Sequence, residues 1–145
     1  MRILGRLLRL DFVPASADLA LLLLRLWLGL SLLTLHGWTK LSNFGEMSGK
    51  FADPFGIGMK GSLALATFGE VVGTILLILG LFSRFAALSC SITMAVAFFS
   101  VHKLVLKGPG NGELAFIYLA GFFTLFIAGP GRFAFDAKSG GSAKE

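Results

Sequence analysis

The sequence predicts an all-α integral membrane protein, a four-helix bundle preceded by a short N-terminal interfacial helix. Three observations carry that prediction. Of 145 residues, 55% are hydrophobic, and the mean hydropathy of +0.82 lies outside the soluble range. The apolar residues gather into four runs near the length that crosses a bilayer core of about 30 Å. Isolated charges, Arg25 and Glu70, stand inside two of those runs. A charge at that depth costs about 2.5–3.5 kcal/mol on insertion scales, so it faces protein rather than acyl chains.

Each element is read from local signals. Arg2, Arg6 and Arg9 share one helical face and interrupt the first apolar stretch. They argue against a signal peptide and for a helix lying on the headgroups. Pro14 breaks this segment, and Ser16 can cap the first membrane helix. The spans are expected at about 18–41, 62–81, 85–101 and 112–128, the third short enough to need tilted neighbours or local thinning. The segment 42–61, rich in glycine and phenylalanine, is expected to dip into the interface. Ser83–Arg84 reads as a tight hairpin, and Gly108-Pro109-Gly110 and Gly129-Pro130-Gly131 as turns. Residues 1–136 form one domain, and 137–145 a polar tail expected to be disordered from Ser139.

The formal charge of +5 does not point to nucleic acid, because the basic residues are scattered at the ends of apolar runs. They read as headgroup contacts and topology signals. Seven (Arg2, Arg6, Arg9, Arg84, Arg132, Lys138, Lys144) fall on one side and five (Lys40, Lys50, Lys60, Lys103, Lys107) on the other. That bias places both termini in the cytoplasm. Cys90 is the only cysteine, so no intrachain disulfide or thiolate cluster can form, and it reads as packing.

Four stripes are expected to face the bundle interior: Arg25, Gly29, Leu32 and His36; Glu70, Gly73, Thr74 and Leu77; Ser91, Met94, Phe98 and His102; Glu113, Ile117, Ala120 and Thr124. Gly69 and Gly73 permit close helix approach. Arg25 and Glu70 are expected to form an intramembrane ion pair, either fixing helix register or serving function. His36, Lys40, Glu70, His102, Lys103 and Glu113 form an outer cluster, the rim of a small polar pocket. Of these, His36, Lys40, His102 and Glu113 are the candidate ligand or proton site, although Lys40, Lys103 and Glu113 read more simply as snorkelling residues. A quinone-like molecule is one use of such a pocket. Metal ligation has no HxxxH or HxH pair to support it, so no metal is expected. Haem ligation by His36 and His102 is conceivable. The His-Lys and Gly-Glu pairs recur (His36, Lys40 and Glu70; His102, Lys103 and Glu113), as a duplicated hairpin would produce.

Arg25-Leu-Trp-Leu-Gly29 with His36-Gly37-Trp38-Thr39-Lys40 resembles the first helix of DoxX-like membrane proteins. Phe68-Gly69-Glu70-Val71-Val72-Gly73, running on to Leu79-Gly80-Leu81-Phe82-Ser83-Arg84, is similar to their second, and Gly129-Pro130-Gly131-Arg132-Phe133, ending near Asp136, to their C-terminal signature. The resemblance spans about Leu19 to Asp136. It implies a multi-pass protein of the bacterial cytoplasmic membrane, linked to quinone or oxidative-stress chemistry, with Arg25, His36, Lys40, Glu70 and Arg84 on recurring polar positions. The Asp53–Lys60 segment departs from the sulfur-oxidising subunits of that family and suggests its small inner-membrane branch. The expected role is a redox-associated accessory subunit, partnered by the lipid bilayer and other membrane or redox proteins. The alternatives are a scaffold that self-associates through Gly69, Gly73 and Gly121, and a small solute or ion pathway dependent on Glu70.

Overall fold

A computed structural model describes residues 8, 10, 13 and 15–139 of the chain. The expected interfacial helix, with its three arginines, and the last residues of the polar tail lie outside them. Every regular element among the described residues is helical. The helices are α1 (Ala17–Ser42), α2 (Phe44–Met47), α3 (Met59–Leu79), α4 (Ser83–Val101), α5 (Glu113–Ala128) and α6 (Phe135–Ser139). Three of them, α1, α3 and α4, are long and apolar enough to cross a membrane. It is α5, with 16 residues, that falls short of the length usual for a crossing, rather than the third span.

Ser16 caps its helix as the sequence suggests, and further contacts fix both ends of α3. Ser16 Oγ accepts from Leu19 N at 3.2 Å and caps α1. Asp53 does the same for α3 from outside the helix, accepting from Ile57 N at 3.1 Å, Gly58 N at 2.9 Å and Ser62 Oγ at 2.7 Å. Gly80, with φ +74°, stops α3, where N–H groups of Gly80 and Leu81 return to Leu77 and Leu76.

The long helices pack in a cycle: α1 on α3, α3 on α4, α4 on α5 and α5 back on α1. Leu28, Leu32, Leu77, Met94, Phe98 and Phe122 fill the centre. Trp27, 78% exposed, and Leu35 and Trp38 on α1 turn outward. Gly69 and Gly73 mark the α3–α4 crossing, where added Cβ atoms would strike the Thr93 side chain and Cys90 Sγ. Gly121 is covered by Leu28. All three glycines thus serve packing within the chain. Cys90 belongs to the same crossing, its thiol 3.3 Å from the Gly69 carbonyl.

The first three inward stripes hold: Arg25, Gly29 and Leu32, then Glu70, Gly73, Thr74 and Leu77, then Ser91, Met94 and Phe98 are all buried, with His36 and His102 half-buried. The fourth does not. Glu113, Ile117, Ala120 and Thr124 are exposed, and α5 instead buries Ala115, Tyr118, Phe122 and Leu125. An apolar helix offers hydrophobic residues on every side, so periodicity alone cannot choose its buried face. Packing chose the bulky aromatic one.

Candidate functional site

Three helices change pitch, α1 and α4 near their C-terminal ends and α3 at its middle. Leu33–Gly37 in α1, Phe68–Gly73 in α3 and Val96–Val101 in α4 are π-helical. Amide hydrogen bonds there reach back five residues, from Trp38 to Leu33 and from His102 to Ala97. Such turns widen the helix and loosen its backbone bonding, and they occur often at functional sites. Here they carry His36 and Glu70 and lead directly into His102. A sequence read with one uniform helical period gives no sign of them.

Around them lies a cavity of about 550 Å³. Residues from all three π-helical turns line it, as do Tyr118 of α5 and Phe51, Pro54 and Ile57 of the segment between α2 and α3. That segment is thus a wall of the cavity.

Lys40 and Glu70 meet at the cavity, Nζ to Oε2 at 2.6 Å. Both are sheltered, with side chains 16% and 7% exposed. Lys40 therefore does not snorkel; it is the counterion of Glu70. Thr74 Oγ donates to the Glu70 carbonyl at 2.6 Å, steadying the π-helical turn. His36 sits edge-on to Tyr118, ring centroids 6.2 Å apart. Tyr118 in turn donates to Ser31 Oγ at 2.9 Å. His102 lines the cavity, with Nδ1 2.7 Å from the Gly110 carbonyl. A carbonyl only accepts, so Nδ1 is the donor in this contact. Glu113 is not part of the cavity; it is exposed in the first turn of α5, where its own N–H is bound by Asn111 Oδ1 at 3.0 Å. No three His, Cys, Asp or Glu side chains gather in a metal-holding group among the described residues.

The expected Arg25–Glu70 pair is not formed. Gly37 of α1 faces the Glu70 backbone so closely that a Cβ there would lie 2.6 Å from the Glu70 carbonyl oxygen. Gly80, ten residues farther along α3, is the residue beside Arg25, its Cβ position 2.9 Å from Arg25 Nη1. In antiparallel helices those two levels are about 15 Å apart, beyond any side chain's reach. Both groups are nonetheless buried, Arg25 at 2% and Glu70 at 5% exposure.

Arg25 instead organises the opposite end. Its guanidinium donates to the Pro130 carbonyl at 3.2 Å and the Phe133 carbonyl at 3.1 Å. Asp136, beyond them, accepts from Phe82 N at 2.9 Å and Ser83 N at 2.6 Å, capping α4 from the far end of the chain. Burial pushes the Asp136 carboxyl upward, but these hydrogen bonds, from Ser83 first and then Phe82, outweigh it and hold it below the usual carboxylate range. Arg132 N donates to Asp18 Oδ1 at 2.9 Å, and Arg84 lies over the Phe126 ring at 5.5 Å. Asp18, Asp53, Asp136 and Tyr118 are therefore structural or site residues that sequence reasoning missed. Only Asp136 had a signal, its fixed place after Gly-Pro-Gly-Arg-Phe.

Bilayer-length apolar helices with their charges turned inward define a multi-pass helical membrane protein. The DoxX family model matches residues 20–103, and the chain belongs to the DoxX family. A protein of Haemophilus influenzae described as uncharacterized is 40% identical over 115 residues, covering 72% of this chain and 79% of its own. A second protein of that bacterium, described in the same way, is 31% identical over 126 residues, 83% of each chain. No solved structure matches.

Proposed function

We propose that this DoxX-family chain is a redox-associated accessory subunit that holds a quinone-like molecule in the cavity beside Lys40 and Glu70. The observation that carries the reading is the cavity itself. Its volume falls within the range of small-molecule sites, its walls are mostly apolar, and a few polar groups converge at one end. Lys40 retains donors beyond the one given to Glu70, and those donors suit a ring carbonyl. His36 can give or accept a proton at the same end. Phe51, Phe55 and Phe68 offer flat apolar surface to a planar ring. The chain's part is binding, orientation and proton handling; the electrons come from a partner redox protein.

In this reading the protein is a four-helix bundle of the bacterial cytoplasmic membrane with both termini cytoplasmic. Seven basic residues on the terminal side against five on the other support that orientation. The short α5 crosses by packing on α4 and α1, with the bilayer thinned locally.

The test is a titration of reconstituted protein with a short-chain benzoquinone, read by equilibrium dialysis against protein-free vesicles, because both tryptophans turn away from the cavity. Saturable binding is expected, weakened roughly tenfold by His36→Ala, the size of a lost polar contact in a dry site. Equal binding by wild type and His36→Ala would contradict the proposal.

A further inference from the structure

The cavity does not end where its polar groups end. Its wall continues along one stripe of α4 through Val96, Ile92, Ser89, Leu88 and Phe85. Ile92 and Phe85 are 56% and 58% exposed, and Leu65 of α3, on the same wall, is 62% exposed. Glu70 and Tyr118, which bound the same continuous space, are buried. A chamber with buried polar groups therefore opens sideways, at the α3–α4 seam, onto the surface that acyl chains would cover. The π-helical turns Phe68–Gly73 and Val96–Val101 flank that opening from its two helices.

The groove and the chamber call for two different chemistries in one ligand. From Val96 to Phe85 the stripe runs about 16 Å at 1.5 Å per residue; its polar residues are Ser89 and the neighbouring Thr93, whose hydroxyl is spent on the Ser89 carbonyl at 3.0 Å. That surface suits a chain and repels a charge. At the chamber end, Lys40 and Glu70 cancel each other at 2.6 Å. An anionic head would meet the carboxylate and a cationic head the ammonium, so the fitting head is uncharged. Among the described residues, Glu70 Oε1 and both ring nitrogens of His36 take no hydrogen bond, so that head has polar groups to meet.

We infer that the α4 groove is a tail subsite: the ligand is a prenylated amphiphile with an uncharged ring head, entering from the bilayer through the α3–α4 seam. This rests on the ring-head reading above and adds the chain, its path and its route of entry. A ring head held in the bilayer by its chain would reach the chamber along this groove, and a site fed from water would need no apolar side door.

The test uses protein in nanodiscs and a prenylated benzoquinone bearing a photoreactive diazirine at the end of its chain. Adducts are expected on the α4 peptide around Phe85–Ile92 and to be displaced by unlabelled prenylated quinone. Ile92→Trp or Leu65→Trp, each at an exposed wall position, should lower that labelling about tenfold, the order expected when an apolar site is overfilled. Adducts spread over the outward faces of α1 and α5, or not displaced, would overturn the inference. If a short-chain benzoquinone binds while α4 stays unlabelled, the tail groove alone is wrong. Equal labelling by a prenyl alcohol carrying the same chain and diazirine would overturn the prenylated-ring assignment, and the ring-head reading with it.

Discussion

Lys40 and Glu70 illustrate how one partner swap changes the meaning of a charge. Sequence position makes Lys40 an interfacial residue and leaves Glu70 seeking Arg25. The packing of Gly37 against the Glu70 backbone sets the level at which α1 and α3 meet and brings Lys40 within 2.6 Å. Removing one member leaves the other sheltered without a counterion, which destabilises by about 3 kcal/mol or more. Lys40→Met and Glu70→Met should each lower unfolding stability in detergent by that order, and the double variant by clearly less than the sum. Additive losses would show that the pair is not coupled. The burial of Arg25 and Glu70 was legible in the sequence, because an intramembrane charge has few places to go. Their partners were not, because depth along two helices depends on contacts of glycine that hydropathy cannot register.

At the scale of elements, the helices were readable to within a few residues from caps, turns and apolar runs. Ser16 and Gly80 act as their residue types suggest. What escaped was the pitch change within helices, since Leu33–Gly37 and Phe68–Gly73 look like any other apolar turn. Gly37 tests the importance of that region. Gly37→Ala places a methyl against the Glu70 backbone, which cannot turn aside, and overpacking of that kind costs about 1–3 kcal/mol. Gly45, with open space around it, should accept alanine without loss. Comparing the two melting temperatures checks this.

The C-terminal segment offers a second element-scale test. Asp136 replaces a local cap on α4, and its carboxyl is held below the usual range. A lowered native value means stability that is complete above the unfolded value of about 3.9 and fades as pH falls through the folded one. Asp136→Asn should therefore be less stable than wild type at pH 7, by about 1 kcal/mol for a weakened cap. The gap should close below about pH 4. A gap independent of pH would contradict the role given to the carboxylate.

Taken whole, the molecule divides its labour between two ends. One is a knot, in which Arg25, Asp18 and Asp136 fasten the last segment to the starts of α1 and α4. The other encloses the cavity, which three π-helical turns border. That division was partly visible: the polar residues of each end stand in the sequence, and His36 and Glu70, expected at a common pocket, both line the cavity. The inward face of α5 was not, because every side of that helix is apolar and only packing reveals that Tyr118 joins His36. Native mass spectrometry of protein extracted directly into nanodiscs tests the central claim most directly. A one-to-one adduct with the mass of a prenylated ring compound is the expected result, lost in Ala97→Phe, which fills the cavity from its wall. Protein that carries no such adduct, or an Ala97→Phe variant that keeps it, would contradict the account.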